Sequence, residues 1–390
     1  MSAGIDTTSI LEALIPAVPG ALPDRVREIG LPLTAAALVD ELVHRCDPPA
    51  RSGGVDIHLR VTSGPESADY VVAFGDETVA AEPGVPEEPW ARVEFTAENL
   101  AKALFGRPGP INTGAWRHEA LQLIGPDTPP GEIPELLKVQ EGAMRANDAL
   151  LAACSPHRPS LNELASRFGT DKWGSVHWYT PYYERHFSAF ADEEVRVLEI
   201  GIGGYHDLES GGSSLRMWQR FFRRGIVHGL DVYEKRLDTP RVRTIQGDQS
   251  DRDFLRRMSE EHGPFDIVVD DGSHFNRDVL ASFDALFPLL KEGGIYAIED
   301  LQTAYWPSWG GDDRDTAAPT TSIGFLKKLI DGLYHREYEA GKPSYLDENV
   351  MGLYFYHNLA FVLKGANNEC GAPAVVRETP PDYIPGGEEE

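Results

Sequence analysis

Cysteine is scarce in this sequence of 390 residues. Cys46, Cys154 and Cys370 are an odd number, lie far apart and form no C-x-x-C pair. A disulfide framework requires an even set of cysteines, and a thiolate metal site requires clustered ones. We therefore predict three unpaired thiols and neither kind of site.

Basic residues and long apolar runs are also lacking. The 36 Lys and Arg against 62 Asp and Glu leave a formal net charge of -26 at pH 7, which repels phosphate backbones and anionic membrane surfaces. The N-terminus, MSAGIDTTSILEALIPAVPG, has neither region of a signal peptide, and no run of about 18 apolar residues occurs. We expect a soluble, cytoplasmic protein with no nucleic-acid and no membrane partner.

The length and the order of the predicted elements indicate two domains. Residues 8–45 carry apolar residues at helical spacing, and residues 55–106 are typical of strands closed by Gly and Pro turns and followed by a helix. The Pro- and Gly-rich segment 125–135 is typical of a connector. We predict a small α+β auxiliary domain over residues 1–150, without catalytic residues, and a second domain over residues 155–390.

The second domain alternates strands with helices. Strands that are apolar throughout and spaced for helical crossovers predict a parallel sheet covered on both faces. Near the C-terminus, LYFYHNLAFVLKG predicts an antiparallel hairpin around a His357-Asn358 turn. The fold class is α/β, with a Rossmann-like, doubly wound sheet that ends in the hairpin of nucleotide-dependent methyltransferases. The five predicted parallel strands cover residues 195–202, 226–233, 242–248, 265–272 and 293–301.

Ligands bind at the carboxyl ends of the strands in such a sheet. The first strand ends in LEIGIGG, with Glu199 at its tip. Gly201, Gly203 and Gly204 allow a ligand to lie against bare backbone, and Ser213, at the end of the insertion GGYHDLESGGSS, joins them as a candidate cofactor-binding residue. A purely structural turn is the alternative for a glycine-rich strand end.

The next two strands also end in carboxylates. Asp231 closes the second strand, where it can accept hydrogen bonds from the ribose hydroxyls of a nucleoside. Asp248 closes the third strand after Gly247 and is placed to accept from an adenine amino group. A lone Asp at a strand end is usually a turn former, but three successive strands that end in carboxylates favour a nucleoside pocket.

The fourth and fifth strands deliver two pairs of carboxylates. Asp270 and Asp271 end one strand, and Glu299 and Asp300 end the other, so up to four carboxylates meet at one sheet edge. Each pair alone is typical of a helix cap or a solvated turn, but two pairs, one followed by His274, favour a metal site. Oxygen ligands indicate Mg²⁺ rather than Zn²⁺.

The blocks VLEIGIGG, GLDVYEK, IQGDQSD, DIVVDDGSHF and GGIYAIEDLQTAYW resemble the Mg-dependent sugar O-methyltransferases that modify macrolide and related antibiotics, the mycinamicin 2''-O-methyltransferase type. The likeness covers roughly residues 161–365, and its specific parts are D-D-G-S-H and I-E-D-L. It implies S-adenosylmethionine as methyl donor, an N-terminal auxiliary domain and a homo-oligomer, either a dimer or a tetramer. It also implies that His274 is the general base and that the Mg²⁺ ligands are Asp271, Glu299 and Asp300.

The function implied is transfer of a methyl group from S-adenosylmethionine to a hydroxyl of a deoxysugar on a small-molecule, glycosylated natural product. Two adjacent hydroxyls that chelate Mg²⁺ are oriented and acidified, and His274 removes the proton. With Asp271 assigned to the metal, Asp270 is expected to face the cofactor. A catechol-like phenol also presents two adjacent hydroxyls and remains an alternative acceptor.

Two other functions are weighed against this one. An NAD-dependent oxidoreductase is opposed by the missing third glycine of G-x-G-x-x-G and by the hairpin, and a noncatalytic assembly protein by the intact set of site residues. Residues 165–187 and 302–320 are candidate lids over the site. The three aromatic residues of the second segment either stack on sugar faces or anchor the loop; they are Tyr305, Trp306 and Trp309.

Overall fold

The structure is a computed structural model. It describes residues 6–18, 20–47, 54–75, 78–87, 89–107, 116–120, 128–155, 158–174, 176–237, 239–338, 341–373 and 377. Parts of the predicted connector 125–135 and the acidic C-terminus lie outside these residues. Among the described helices, none is long and apolar enough to cross a membrane.

The N-terminal part contains helices packed with a five-stranded mixed sheet, which confirms the predicted α+β module. Its strand order is β3-β2-β1-β4-β5, and only the β1-β4 pair among the registered pairs is parallel. The elements are α1 (Thr7–Leu14), α2 (Leu22–Ile29), α3 (Leu31–Arg45), β1 (Val55–Ser63), β2 (Glu66–Phe74), β3 (Val79–Pro83), β4 (Ala91–Thr96), α4 (Ala97–Phe105), β5 (Trp116–Ala120) and α5 (Ile133–Ala153).

The C-terminal part contains a seven-stranded sheet in the order β11-β12-β10-β9-β6-β7-β8, which confirms the predicted α/β fold. Helices or longer connections separate β6, β7, β8, β9 and β10. Strand β9 is parallel to both β6 and β10, and β11 and β12 form the antiparallel hairpin. The elements are α6 (Leu161–Phe168), α7 (Thr180–Phe187), β6 (Arg196–Ile200), α8 (Ser213–Phe221), β7 (Ile226–Asp231), β8 (Val242–Gln246), α9 (Arg252–His262), β9 (Ile267–Asp270), α10 (Asn276–Leu286), β10 (Ile295–Ile298), α11 (Ser322–Leu333), α12 (Tyr345–Asn349), β11 (Val350–Tyr356) and β12 (Leu359–Lys364).

The hairpin turn is the predicted one. Tyr356 pairs with Leu359 across the hairpin, which leaves His357 and Asn358 in the turn. Asn358 has φ 60°, and asparagine is among the residues that adopt this left-handed conformation most readily. The three cysteines are free, as predicted.

Close backbone contacts divide the chain into two compact units. The first comprises Met1–Arg196, Ile202–Gly229 and Tyr233–Ile245, and the second comprises Val197–Gly201, Leu230–Val232 and Gln246–Glu390. The first unit contains the N-terminal helices and sheet together with α6, α7 and α8. Tyr183 and Phe187 are fully buried there, with ring centroids 5.0 and 5.7 Å from Trp218.

The register of the second unit aligns three strand ends. Asp270, the last residue of β9, pairs with Ile200 of β6 on one side and with Ile298 of β10 on the other. Because the three strands are parallel and end level, the residues that follow them emerge side by side. This edge carries the candidate site.

Candidate active site

A cluster of acidic side chains occupies the carboxyl ends of β6, β9 and β10. One oxygen each of Glu199, Asp271 and Glu299 lie within 4.8 Å of one another, and Asp271, His274 and Asp300 form a second group with the same limit. Nε2 of His274 is 3.9 Å from Oδ1 of Asp271 and 3.6 Å from Oδ2 of Asp300. Asp271 is common to both groups, whereas Glu299 belongs to the first and Asp300 to the second, so each group contains two of the three predicted Mg²⁺ ligands.

The donors suit a hard divalent cation. Glu199 and Glu299 are buried, whereas Asp271, His274 and Asp300 are half-buried. Carboxylate oxygens on one side and access to solvent on the other fit Mg²⁺, which keeps several waters or substrate oxygens in its shell. Glu199, assigned from sequence to the cofactor, lies within the carboxylate cluster.

Two of these residues have an uncommon backbone conformation. His274 has φ 56° and Asp300 has φ 52°, both in the left-handed region, where a side chain other than glycine costs roughly 1–2 kcal/mol. Such strain persists when the surrounding structure fixes it, and it is frequent at functional sites. Here it is found in the two residues whose side chains approach each other.

Gln249 holds the turn that leads to His274. Its Oε1 accepts from the backbone N–H of Ser273 at 2.6 Å, and its Nε2 donates to Oδ1 of Asp270 at 3.2 Å. A Cβ on Gly272 would lie 2.0 Å from the same Oε1, so a larger residue at that position would displace the Gln249 amide. The sequence contains no signal for Gln249, because its role depends on contacts more than 20 residues away.

Asp270, predicted to face the cofactor, lies in the interior at the end of β9. Its side chain is only 1% exposed, and its oxygens accept hydrogen bonds from Gln249, from the hydroxyl of Ser282 and, at 3.1 Å, from the hydroxyl of Tyr296. Burial raises the pKa of Asp270 to about 6, against the opposing effect of these hydrogen bonds. Hydrogen bonds from three side chains thus hold Asp270 in the interior, beneath the site residues.

The glycine-rich turn after β6 has the left-handed backbone that its glycines predict. Gly201 has φ 94°, and a Cβ there would lie 2.1 Å from the backbone oxygen of Asp271. Gly201 is therefore required by the neighbouring strand end. Gly203 has φ 76° with nothing within 4 Å of its Cβ position, whereas a Cβ on Gly204 would meet Ser210. Ser213 is the first residue of α8.

A buried lysine shapes the loop that these glycines begin. The Nζ of Lys235 donates to the backbone oxygens of Tyr205, Asp207 and Ser210 at 2.6, 2.8 and 3.2 Å. All three donors of the ammonium group thus point at one loop, and the side chain is buried. Sequence reasoning missed Lys235, since only the folded loop shows that its charge is internal.

The carboxylates after β7 and β8 have different surroundings. Asp231 is half-buried at the end of β7, and its backbone oxygen accepts from Gly247 at 2.8 Å. Asp248 is exposed, and its Oδ1 accepts from the backbone N–H of Ser250 at 2.8 Å. Asp248 therefore makes the turn contact that was its alternative interpretation. The Cβ position of Gly247 is occupied by the ring of Phe254.

The segment after Asp300 folds against the His274 turn. It contains two short 3-10 helices, Leu301–Tyr305 and Pro307–Trp309. The ring centroid of Trp309 lies 6.4 Å from that of His274 and 5.1 Å from that of Phe275. This candidate lid is consequently part of the site's wall. In the other candidate lid, residues 165–187, Tyr183 and Phe187 are core residues.

The chain is similar to known methyltransferases over most of its length. Residues 11–115 match the family described as MycE methyltransferase N-terminal. The demethylmacrocin O-methyltransferase of Streptomyces fradiae is 44% identical over 355 residues, which cover 89% of this chain and 88% of that protein. The 8-demethyl-8-alpha-L-rhamnosyl tetracenomycin-C 2'-O-methyltransferase of Streptomyces olivaceus is 40% identical, over 96% of this chain and all of that protein.

A solved structure is similar over nearly the whole chain. The MycE methyltransferase from the mycinamycin biosynthetic pathway, in complex with Mg, SAH and mycinamycin VI, has a TM-score of 0.87 and 38% identity. The match covers 96% of this chain and 97% of that one. Its bound metal and S-adenosylhomocysteine belong to a protein with the same fold.

Proposed function

We propose a reaction for this chain, which belongs to the family of sugar O-methyltransferases of antibiotic biosynthesis: transfer of a methyl group from S-adenosylmethionine to a hydroxyl of a deoxysugar on a glycosylated natural product. The observation that carries the proposal is the cluster of Glu199, Asp271, His274, Glu299 and Asp300 at one sheet edge. Carboxylate oxygens and an imidazole nitrogen within 4.8 Å of one another suit a reaction that needs both a cation and a base.

The roles of the individual residues are part of the proposal. Asp271, Glu299 and Asp300 hold the Mg²⁺, and Glu199 adds negative charge to the same cluster. S-adenosylmethionine supplies the methyl group on a sulfonium that is already a good leaving group, and Mg²⁺ lowers the pKa of hydroxyls that chelate it.

His274 accepts the proton of the sugar hydroxyl at Nε2. Asp271 and Asp300, at 3.9 and 3.6 Å from this atom, stabilise the imidazolium that forms. A positioned general base contributes about 10² to 10⁴ in rate. The contacts of Gln249 and Ser273 keep the turn, and with it the imidazole, in one place.

The cofactor residues stay predictions. They are Glu199, Gly201, Gly203, Gly204, Ser213, Asp231, Gly247, Asp248 and Asp270, of which Asp231 is the predicted partner of the ribose hydroxyls. Calorimetric titration with S-adenosylhomocysteine tests them: Asp231→Ala should weaken binding, and NAD should produce no heat. NAD binding without S-adenosylhomocysteine binding would favour the oxidoreductase.

We also propose an auxiliary domain over residues 1–150, a methyltransferase domain over residues 155–390 and a homo-oligomer. The match of the N-terminal family over residues 11–115 supports the first domain. Light scattering during size-exclusion chromatography measures the mass of the assembly. A monomer mass at every concentration would contradict the oligomer.

The acceptor class is tested with a panel of compounds. The protein is incubated with S-adenosylmethionine, Mg²⁺ and one acceptor at a time. The glycosides are demethylmacrocin, mycinamicin VI and 8-demethyl-8-alpha-L-rhamnosyl tetracenomycin C, and catechol is the phenolic comparator. Mass spectrometry should show a glycoside that is heavier by one methylene, and NMR should place the new methyl on a sugar oxygen. Methylation of catechol alone would favour the phenol O-methyltransferase.

The matched variants are His274→Ala and His262→Ala. His262 is the last residue of α9 and lies outside the cluster of site residues. The first variant should lose methyl transfer while it retains S-adenosylhomocysteine binding, and the second should keep both. Equal activity of the two variants would remove His274 from its proposed role.

A further inference from the structure

Three aromatic side chains form a patch beside His274. We define the aromatic platform as Phe275, Trp306 and Trp309. Trp309 lies at its centre, with ring centroids 5.1 Å from Phe275 and 6.4 Å from Trp306. Phe275 is 37% exposed and Trp306 is 45% exposed.

The side-chain amide of Asn276 fixes the segment that carries Trp306 and Trp309. Asn276 is 1% exposed, and its Nδ2 donates to the backbone oxygens of Thr303 and Trp309, each at 3.0 Å. Its Oδ1 accepts from the backbone N–H of Ser322 at 2.7 Å. One side chain therefore ties the start of α10, the two 3-10 helices and the start of α11 together.

The backbone of the segment adds to this rigidity. The N–H of Gly311 donates to the oxygen of Trp306 at 2.9 Å, and the N–H of Asp312 donates to the oxygen of Ala304 at 2.9 Å. A Cβ on Gly311 would lie 2.4 Å from the oxygen of Thr303. The exposed indole of Trp306 is thus carried by a tightly hydrogen-bonded segment.

Exposing aromatic surface to water is unfavourable, and neighbouring exposed aromatic side chains are typical of ligand-binding grooves. Trp309 is half-buried and can anchor the segment. Trp306 and Phe275 are more exposed, so burial of their rings stabilises the segment less. Arg277 lies over Phe275, with Cζ 5.5 Å from the ring centroid, so Trp306 and Trp309 offer the larger uncovered surface.

We propose that the aromatic platform binds the apolar face of the deoxysugar in the acceptor, with Trp306 as a specificity-determining residue and Asn276 as a positioning residue. This inference rests on the proposed function and adds the kind of surface that recognises the acceptor. A deoxysugar carries fewer hydroxyls than its parent sugar, so it presents more C–H groups that can stack on an indole. The 6.4 Å between the rings of Trp309 and His274 brings a stacked sugar into reach of the imidazole.

The test compares steady-state kinetics of variants with the glycoside that the wild-type protein methylates. Trp306→Ala should raise the acceptor KM about tenfold, because an aromatic contact of about 1.4 kcal/mol corresponds to that factor. The affinity for S-adenosylhomocysteine should not change, and Trp306→Phe should recover most of the loss. Tyr334→Ala, which alters another exposed aromatic residue in the second unit, should resemble the wild type.

Asn276→Asp retains the acceptor oxygen but loses both amide donors to the segment. It should raise the acceptor KM and lower kcat while S-adenosylhomocysteine still binds. If that variant is unfolded by circular dichroism, the Trp306 variants decide alone.

The possible failures are distinguishable. If the wild-type protein methylates none of the three glycosides, the proposed function fails and this inference falls with it. If the wild type methylates a glycoside but Trp306→Ala has an acceptor KM within about twofold of it, or Trp306→Ala loses S-adenosylhomocysteine binding equally, the platform is not an acceptor surface and only this inference is overturned.

Discussion

A buried ion cluster in the first compact unit gives the sharpest prediction about stability. Glu41 of α3 has no exposed surface. Its Oε1 accepts from Nε of Arg45 at 2.7 Å and from Nη2 of Arg241 at 2.8 Å, and its Oε2 accepts from Nε of Arg241 at 3.0 Å. Both guanidinium groups are buried as well, so this carboxylate is the counter-ion of both. Arg241 lies 200 residues further along the sequence than Glu41.

The charges decide how much Glu41 contributes. Burial alone would raise the pKa of Glu41, but the attraction of Arg241 and Arg45 outweighs it and lowers the pKa from 4.5 to about 2. A carboxyl with a lowered pKa stabilises the folded state above its unfolded-state pKa, and that stability is lost as the pH falls from 4.5 towards 2. The shift corresponds to about 3 kcal/mol of stability at neutral pH.

The perturbation is Glu41→Gln, which keeps the shape and removes the charge. Two buried guanidinium groups without a counter-ion should destabilise the protein by about 3–5 kcal/mol at pH 7. Urea unfolding followed by circular dichroism measures this, with Glu28→Gln as the control because Glu28 pairs with Arg25 on the surface. The difference from wild type should shrink as the pH falls below 4.5, since the Glu41 carboxyl of the unfolded chain takes up a proton there while that of the folded protein does not.

Two results would refute this reasoning. A Glu41→Gln variant within about 1 kcal/mol of the wild type at pH 7 would show that the ion cluster is not a net stabilising contact. A difference that stays constant between pH 5 and pH 3 would show that protonation of Glu41 is not the cause.

The remaining predictions concern the site and the auxiliary domain. Asp271→Asn should abolish the response of activity to added Mg²⁺, measured as initial rate against metal concentration. Lys235→Met should raise the KM for S-adenosylmethionine about tenfold through loss of the hydrogen bonds to its loop, while the acceptor KM is unchanged. Deleting residues 1–150 removes the counter-ion of Arg241, so we expect an insoluble protein; a soluble, fully active product would contradict this.

The strand ends were predictable because the pattern that specifies them is local. Continuous apolar runs mark the buried parallel strands, and the residues after them must meet at one edge of the sheet. For that reason Asp271, His274, Glu299 and Asp300 could be grouped from the sequence. The hairpin turn at His357 and Asn358 follows from an equally local pattern.

The direction of each side chain was not predictable. Successive residues of a strand point to opposite faces, so the pair Asp270 and Asp271 must divide between the interior and the site, and the sequence does not say which is which. Asp270 proved to be the buried one. Glu199 was assigned to the cofactor from its strand-end position, although it lies with Asp271 and Glu299.

The supporting residues were missed for a different reason. Lys235, Gln249 and Asn276 are polar side chains that would be solvated in an unfolded segment. Each is buried only because backbone groups distant in sequence surround it. The contact of Glu41 with Arg241 is similarly the result of tertiary packing, which composition and periodicity do not encode.

The central claim is metal-dependent methyl transfer to a sugar hydroxyl, and its most direct test is one assay with methyl-labelled S-adenosylmethionine and the glycoside that the acceptor panel identifies. The label transferred to the glycoside is measured with Mg²⁺ present, after chelation, and after Mg²⁺ is restored. We predict transfer to a sugar oxygen that chelation stops and that Mg²⁺ restores. Undiminished transfer after chelation, or label on an atom outside the sugars, would contradict the account.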